Sequence, residues 1–281
     1  MMKRLCIKKW IAGLFFLLPV LAHAQFYYKD VVTTAQTNEQ IKLYKSNRVK
    51  KVVIRSFEPT DEPTQNFICY QEVSPSFNSI KTFTQTVQTL QSVLTSQFNF
   101  KGQLTRSSDS SNSTLTVSTY TYDTEGKLAV VDISIQAYAY NTKETEKHIW
   151  SYKDGFPDQM LKIKNNSDTV VVTFVKDENG NVGEEEWRRN GNLVQKYYYY
   201  YDAQHRMTDL VRYNERAKRL LPDYIFEYNP AGQFTQMIAV QTGTSNYLTW
   251  RYQYNDKGLK EKESCYNKQK QLMGYVTYKY E

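Results

Sequence analysis

Acid–base or nucleophilic chemistry needs particular side chains in particular company, and this sequence offers few of either. Of its three histidines, His23 lies in a leader-like stretch at the N-terminus. His148 and His205 are left as the candidate acid–base groups. Neither has a Cys or a second His at metal-ligand spacing. No nucleophile elbow, phosphate-cradling loop or zinc box is present in the sequence. His205 closes the run Tyr201-Asp202-Ala203-Gln204-His205 and reads as a turn residue at positive φ, where His is enriched. His148, in Lys147-His148-Ile149-Trp150, reads as a strand start. A catalytic role for either would require it to meet carboxylates in a pocket. Glu184, Glu185 and Glu186 are three adjacent acids. Side chains alternate faces on a strand, so neighbours cannot form an acid/base dyad, and a solvated, charged sheet edge is expected. The sequence therefore predicts no catalytic residue, no metal site, no cofactor and no enzyme.

The compartment bears on the cysteines. Lys3, Arg4, Lys8 and Lys9 precede a short apolar core, Trp10 to Leu21, and Ala22-His23-Ala24 fits a small-x-small cleavage site. Residues 1–24 read as a signal peptide, with Gln25 as the new N-terminus and an exported product that is periplasmic, outer-membrane-associated or extracellular. Removing four of the 36 basic residues leaves 32 against 29 acidic ones, net +3 instead of +7. That balance, with no basic stripe, predicts no nucleic-acid partner. Cys69 and Cys265 remain; in an oxidising compartment they could pair, or each could be a free buried thiol.

The elements that would hold any site are set by a repeated phrase: aromatic, Asp or Asn, two variable residues, Gly, one variable residue, apolar. It is complete in Tyr122-Asp123-Thr124-Glu125-Gly126-Lys127-Leu128 and in Tyr228-Asn229-Pro230-Ala231-Gly232-Gln233-Phe234. Partial copies start at Lys176, Tyr254, Tyr266 and Tyr201, the last with His205 in the Gly slot. The phrase is hairpin grammar. Asp or Asn caps a type I turn, and Gly at i+3 takes the positive φ that returns the chain. The turn residues 177, 202, 229 and 255 are 25, 27 and 26 apart, with weaker turn signals between them, including Asn214-Glu215 and Gly243 to Asn246. About thirteen turns between Ser108 and Asn267 predict around fourteen antiparallel strands. Counting back from each turn, alternate positions face one way. They hold Tyr197, Tyr199 and Tyr201; Tyr224, Phe226 and Tyr228; Trp250, Tyr252 and Tyr254. Neighbouring strands should stack these rings into a ladder, the one surface with ligand-contact potential.

The phrase resembles the YD repeats of the Rhs group of secreted and surface proteins over roughly residues 98–281, and Asn179 to Tyr200 is similar to MORN-variant repeats. The resemblance implies an extended or curled antiparallel sheet with a scaffolding or binding role. It does not extend to the core motif that precedes a toxin tip in large Rhs proteins.

Residues 25–97 keep the beat poorly. Asn38 to Tyr44 suggests a short capped helix, and Lys50 to Phe57 and Phe67 to Val73 suggest strands. Ile80, Phe83, Val87, Leu90 and Leu94 are spaced as on a helix, although the Thr-rich composition would also suit two strands. The fold expected is all-β: a long antiparallel meander, curled or single-layer, over 98–281, behind a mixed segment 25–97. The function expected is a non-enzymatic binding or structural module of the cell envelope or surface, with a glycan, a peptide or another envelope protein as partner. The alternative is a periplasmic lipid or lipoprotein carrier with a curved sheet. An outer-membrane barrel is disfavoured by the charges at Lys260-Glu261-Lys262-Glu263, since each spanning strand needs a lipid-facing apolar band.

Overall fold

A computed structural model describes residues 26–281 apart from 88–90, 215–216 and 242–245. The expected signal peptide and cleavage site lie outside the described residues, as do Glu215 and Gly243 to Ser245 of the turn signals. A π-helical turn (Tyr27–Val32) runs into helix α1 (Thr33–Ser46). Eighteen strands follow. They are β1 (Lys51–Phe57), β2 (Ile68–Val73), β3 (Ser79–Gln85), β4 (Ser92–Phe98), β5 (Leu104–Ser111), β6 (Thr114–Tyr122), β7 (Leu128–Ala137), β8 (Thr142–Lys153) and β9 (Phe156–Lys164). The second half comprises β10 (Asp168–Lys176), β11 (Val182–Arg189), β12 (Asn192–Tyr201), β13 (Met207–Asn214), β14 (Arg219–Tyr228), β15 (Phe234–Val240), β16 (Tyr247–Tyr254), β17 (Lys260–Tyr266) and β18 (Leu272–Tyr280).

Each strand pairs antiparallel with the next in sequence, and β1 pairs with both β2 and β18. The sheet therefore closes into an 18-stranded barrel. This corrects the expected open or curled single-layer sheet. The closing seam joins Val52 to Tyr280 and Phe57 to Tyr275, so no strand edge is left to pair with another chain. The fourteen strands expected downstream of Ser108 correspond to β5–β18. The helix expected over 79–96 is instead β3 and β4, two strands of the same sheet. Thr82, Thr84 and Thr95 favour the pleat, and the apolar spacing does not mark one face. Ile80 and Leu94 point inward while Phe83 points outward, and Leu90 is outside the described residues.

The repeat phrase has a physical explanation at one end of the barrel. The Oδ1 of Asp202 accepts the amides of Gln204 and Arg206, at 2.9 Å each. Asp177, Asn255 and Asn99 do the same for the amides two and four residues on. Gly126, Gly180, Gly232 and Gly258 take φ of 75–85°. His205 occupies that slot at φ 59°. The tyrosine before the turn has its own task. The Tyr201 hydroxyl donates to the carbonyl of Val182, Tyr228 to Met207, Tyr122 to Leu104 and Tyr152 to Leu128, at 2.7–3.0 Å. Each acceptor is the first residue of the preceding strand, next to where a bulge shifts the register. Tyr–Asp–x–x–Gly–x–Leu thus ties each hairpin to its neighbour. Replacing His205 with Gly removes the cost of a left-handed L-residue, about 1 kcal/mol, and gives up one hydrogen bond to Asn181. A small net gain in the urea midpoint is expected.

The outer wall is polar where a membrane barrel would be greasy. Glu227, Gln236 and Arg251 form a hydrogen-bonded row across β14–β16. Lys196 bridges Glu184 and Glu186 at 2.7 and 3.1 Å, and Lys147 pairs with Asp132 at 3.2 Å. A cation on a lipid-facing midplane position costs about 2–4 kcal/mol, and these lie within the strands. These charged rows lie on the outer surface of the closed barrel. No described helix is long and apolar enough to cross a membrane.

Candidate functional site: the plugged lumen

Large β-barrels of 16–18 strands usually enclose a channel. Here the chain's own N-terminal segment fills part of the lumen. Phe26 is 3% exposed and belongs to a core cluster with Trp150, Phe174, Trp187, Tyr197, Tyr199 and Phe226. Its ring stacks on Trp187 at 4.6 Å. Tyr27 meets Tyr199 edge-on at 5.6 Å, and Tyr28 lies against Tyr224 and Phe226 at 5.5 and 5.4 Å. Helix α1 continues into a second cluster, where Ile41 and Tyr44 pack with Val52, Ile54, Cys69 and Val276. It sits against the capped turns, with Ile41 and Lys42 beside Gly102 and Leu43 beside Gly258. The helix starts without a side-chain cap, earlier than expected. Asn38 serves the barrel instead, accepting the Leu104 amide at 2.7 Å.

Two polar clamps hold the plug. The first is Glu185, whose side chain has no exposed surface. Its oxygens accept four hydrogen bonds: the amides of Phe26 at 2.8 Å and Tyr27 at 3.0 Å, Trp187 Nε1 at 2.6 Å and the Tyr199 hydroxyl at 2.5 Å. Burial pushes its carboxyl up, and the four donors push back. This corrects the expectation that Glu184, Glu185 and Glu186 form a solvated edge. Alternation turns Glu184 and Glu186 outward to Lys196 and Glu185 inward to the plug. The signal was present in the sequence: Glu185 is opposite Tyr197 in the ladder face.

The second clamp is His148, also fully buried. Its Nδ1 lies 2.6 Å from Asp30 of the plug and its Nε2 lies 2.8 Å from Glu146. Trp150 Nε1 also donates to Asp30, at 3.2 Å, and Lys162 pairs with Glu146 at 2.9 Å while its ammonium sits over the Phe26 ring. Burial alone would lower the imidazolium pKa. The Asp30 charge and the hydrogen bonds to Asp30 and Glu146 outweigh it and raise it to about 9. Burial would raise Glu146, but His148 and Lys162 bring it down to about 2. His148 does meet carboxylates, yet both ring nitrogens are engaged and no face of the ring is open. The arrangement holds the plug; it presents no base to a substrate.

The predicted ligand-contact aromatics all point into this lumen. Tyr197, Tyr199, Phe226 and Trp250 are buried, and Tyr201, Tyr224, Tyr228, Tyr252 and Tyr254 are partly buried. Their partner in the structure is the plug and the neighbouring hairpin. They do not form a ladder of adjacent strands, because only every second strand approaches a capped turn. Leu210 and Met237 on the returning strands separate them. The other tyrosines of the run, Tyr198 and Tyr200, face outward, and Tyr200 is 48% exposed. Cys69 and Cys265 are unpaired, buried thiols. Burial pushes them up to about 11 and about 12, away from thiolate chemistry. Among the described residues no cluster of His, Cys, Asp and Glu has the makings of a metal site.

No family model matches the sequence, and no curated protein matches it. Among solved structures, a porin-like protein from Bacteroides uniformis aligns over 83% of this chain and 96% of its own, at 10% identity and a TM-score of 0.39. A second porin-like protein, from Bacteroides vulgatus, aligns at 10% identity with a TM-score of 0.28. A chain of the TcdB2-TccC3-Cdc42 complex aligns over 77% of this chain at 13% identity and a TM-score of 0.34; this chain spans 12% of its length. At these scores none of the likenesses extends to function.

Proposed function

We propose that the chain is an exported, non-enzymatic β-barrel that binds or scaffolds at the cell envelope or surface. The observation that supports this most directly is the state of His148, the one described histidine in contact with carboxylates. It is sealed between Asp30 and Glu146 and used to anchor the plug. The charged outer rows argue for a barrel surrounded by water. The lipid-carrier alternative needs a continuous apolar concave face. Here residues 26–46 fill part of that face, and beyond them Ser96, Ser107, Asp109, Thr116 and Ser118 interrupt its apolar residues. Export rests on the basic start, the apolar core and Ala22-His23-Ala24.

Cell fractionation with intact-mass measurement tests this reading. The expected product begins at Gln25 and is released with the periplasmic or surface fraction without detergent. A chain that retains Met1 in the cytoplasm, or one extracted only by detergent, would contradict it.

A further inference from the structure

Away from α1 the inner wall of the barrel changes character. One cross-strand row runs Thr82, Leu94, Asp109, Thr116 and Ile135 across β3–β7. The next row, one step nearer the plug, holds Ser96, Ser107 and Ser118. All of these share the face of buried Ile80 and Val131. Leu94 and Ile135 are nevertheless each 38% exposed. These inward-pointing apolar side chains are therefore open to solvent on the inner face, toward the end away from α1.

The polar groups of this wall differ from those elsewhere on the inner face. On the adjoining β8–β9, where Glu144 lies beside Ile135, inward charges are paired: Glu146 with Lys162 and Glu144 with Lys164, and farther round Arg212 pairs with Asp223, at 2.8–2.9 Å. On β4–β6 the side chains of Ser96, Ser107, Asp109 and Thr116 have no hydrogen-bond or ion-pair partner among the described residues. Asp109 is half-buried, and that burial pushes its carboxyl up. Hydrogen-bonding capacity in a concave, partly desolvated wall is a binding resource.

We propose that the inner wall of β3–β7 is a binding site for a neutral oligosaccharide entering the lumen from the end opposite α1. Serine and threonine hydroxyls donate and accept, as sugar hydroxyls do. Their short side chains let a ligand approach the sheet closely. Asp109 accepts from two sugar hydroxyls at once, a charge-assisted pairing. Leu94 and Ile135 give a sugar's C–H face an apolar surface. The wall has no cation to attract an anionic glycan, and one carboxylate is too little to hold a polycation. The proposal rests on the reading of the chain as a binding module and names its ligand class.

Saturation-transfer NMR on the mature chain, with maltohexaose, cellohexaose and chitohexaose as probes and spermine and oligogalacturonate as counter-probes, tests it. At least one neutral hexasaccharide should bind, and Asp109→Asn should weaken it about tenfold or more, equivalent to about 1.4 kcal/mol. Ser107→Val should weaken it as well, and the unfolding temperature of both variants should stay near that of the parent. Failure of all three neutral probes, binding that survives both substitutions, or binding of spermine alone would each overturn the proposal. None of these outcomes changes where the chain fractionates, so the export reading is decided separately.

Discussion

Replacing Glu185 with Leu is expected to cost at least about 3 kcal/mol, the largest single-residue loss of stability in this barrel. The reason is an asymmetry. An apolar side chain of similar size removes the acceptor and leaves four donors behind. The indole of Trp187, the hydroxyl of Tyr199 and the amides of Phe26 and Tyr27 would then face one another with nothing to accept from them. Each buried, unsatisfied group costs about 1–3 kcal/mol. For a domain of this size the melting temperature should fall by roughly 6–12 °C. Glu185→Gln keeps one carbonyl acceptor and should lose less, while Tyr199→Phe removes a single charge-assisted bond worth about 1.5–3 kcal/mol. Thermal and urea unfolding of the three variants check the order. A Glu185→Leu chain within 1 kcal/mol of the parent would mean that the plug is held by its aromatic contacts alone.

The second large effect is a loss of stability on mild alkalinisation. The imidazolium of His148 is raised from 6.5 to about 9 in the folded chain by Asp30 and Glu146, against the opposing effect of burial. A group whose folded pKa is raised contributes its full stabilisation below its unfolded pKa and loses it as pH rises through the folded one. The window is therefore pH 6.5 to about 9, and the span corresponds to on the order of 3 kcal/mol. Asp30, Glu146 and, through Glu146, Lys162 are the charged groups facing the ring. Urea midpoints of the parent should decline across that window. Those of His148→Gln should start lower and stay flat, and the difference between the two removes background titration by other groups. Glu146 acts at the other extreme. Its carboxyl is lowered to about 2, so its contribution is present at neutral pH and disappears only in strong acid. Parallel curves for parent and His148→Gln would show that the ring is neutral in the folded state.

How much of this was legible in the sequence follows from the range of each interaction. The turns were legible because their chemistry is local: an Asp or Asn, four residues and a Gly or its stand-in. His205 was placed correctly for that reason. Facing was legible too, since period-two alternation assigned Tyr197, Tyr199 and Tyr201 to one side. What alternation could not supply was the identity of adjacent strands' inward residues, so the aromatic ladder is interleaved with Leu210 and Met237. Closure was not legible. Residues 52–57 pair with 275–280, and β1 lies outside the repeat, with nothing local to name its partner. The plug was hidden for a different reason. Phe26 to Val32 carries no periodic signal and directly follows a leader-like stretch, so its aromatics have no visible counterpart. Glu185 was misassigned because three adjacent acids look solvated. Yet the same alternation that separates them puts the middle one on the buried aromatic face.

The central claim is that the sheet closes through β1 and β18 around its own N-terminal segment. Amide hydrogen exchange across Val52–Phe57 and Tyr275–Tyr280 tests it most directly. In the closed barrel β1 is paired on both sides at Val52–Ile54 and β18 at Tyr275–Thr277, and those amides should be protected as strongly as those of Val171–Thr173 in β10. If alternate amides within Val52–Ile54 and Tyr275–Thr277 exchange like those of free sheet edges, the barrel is open and this account of the fold is wrong.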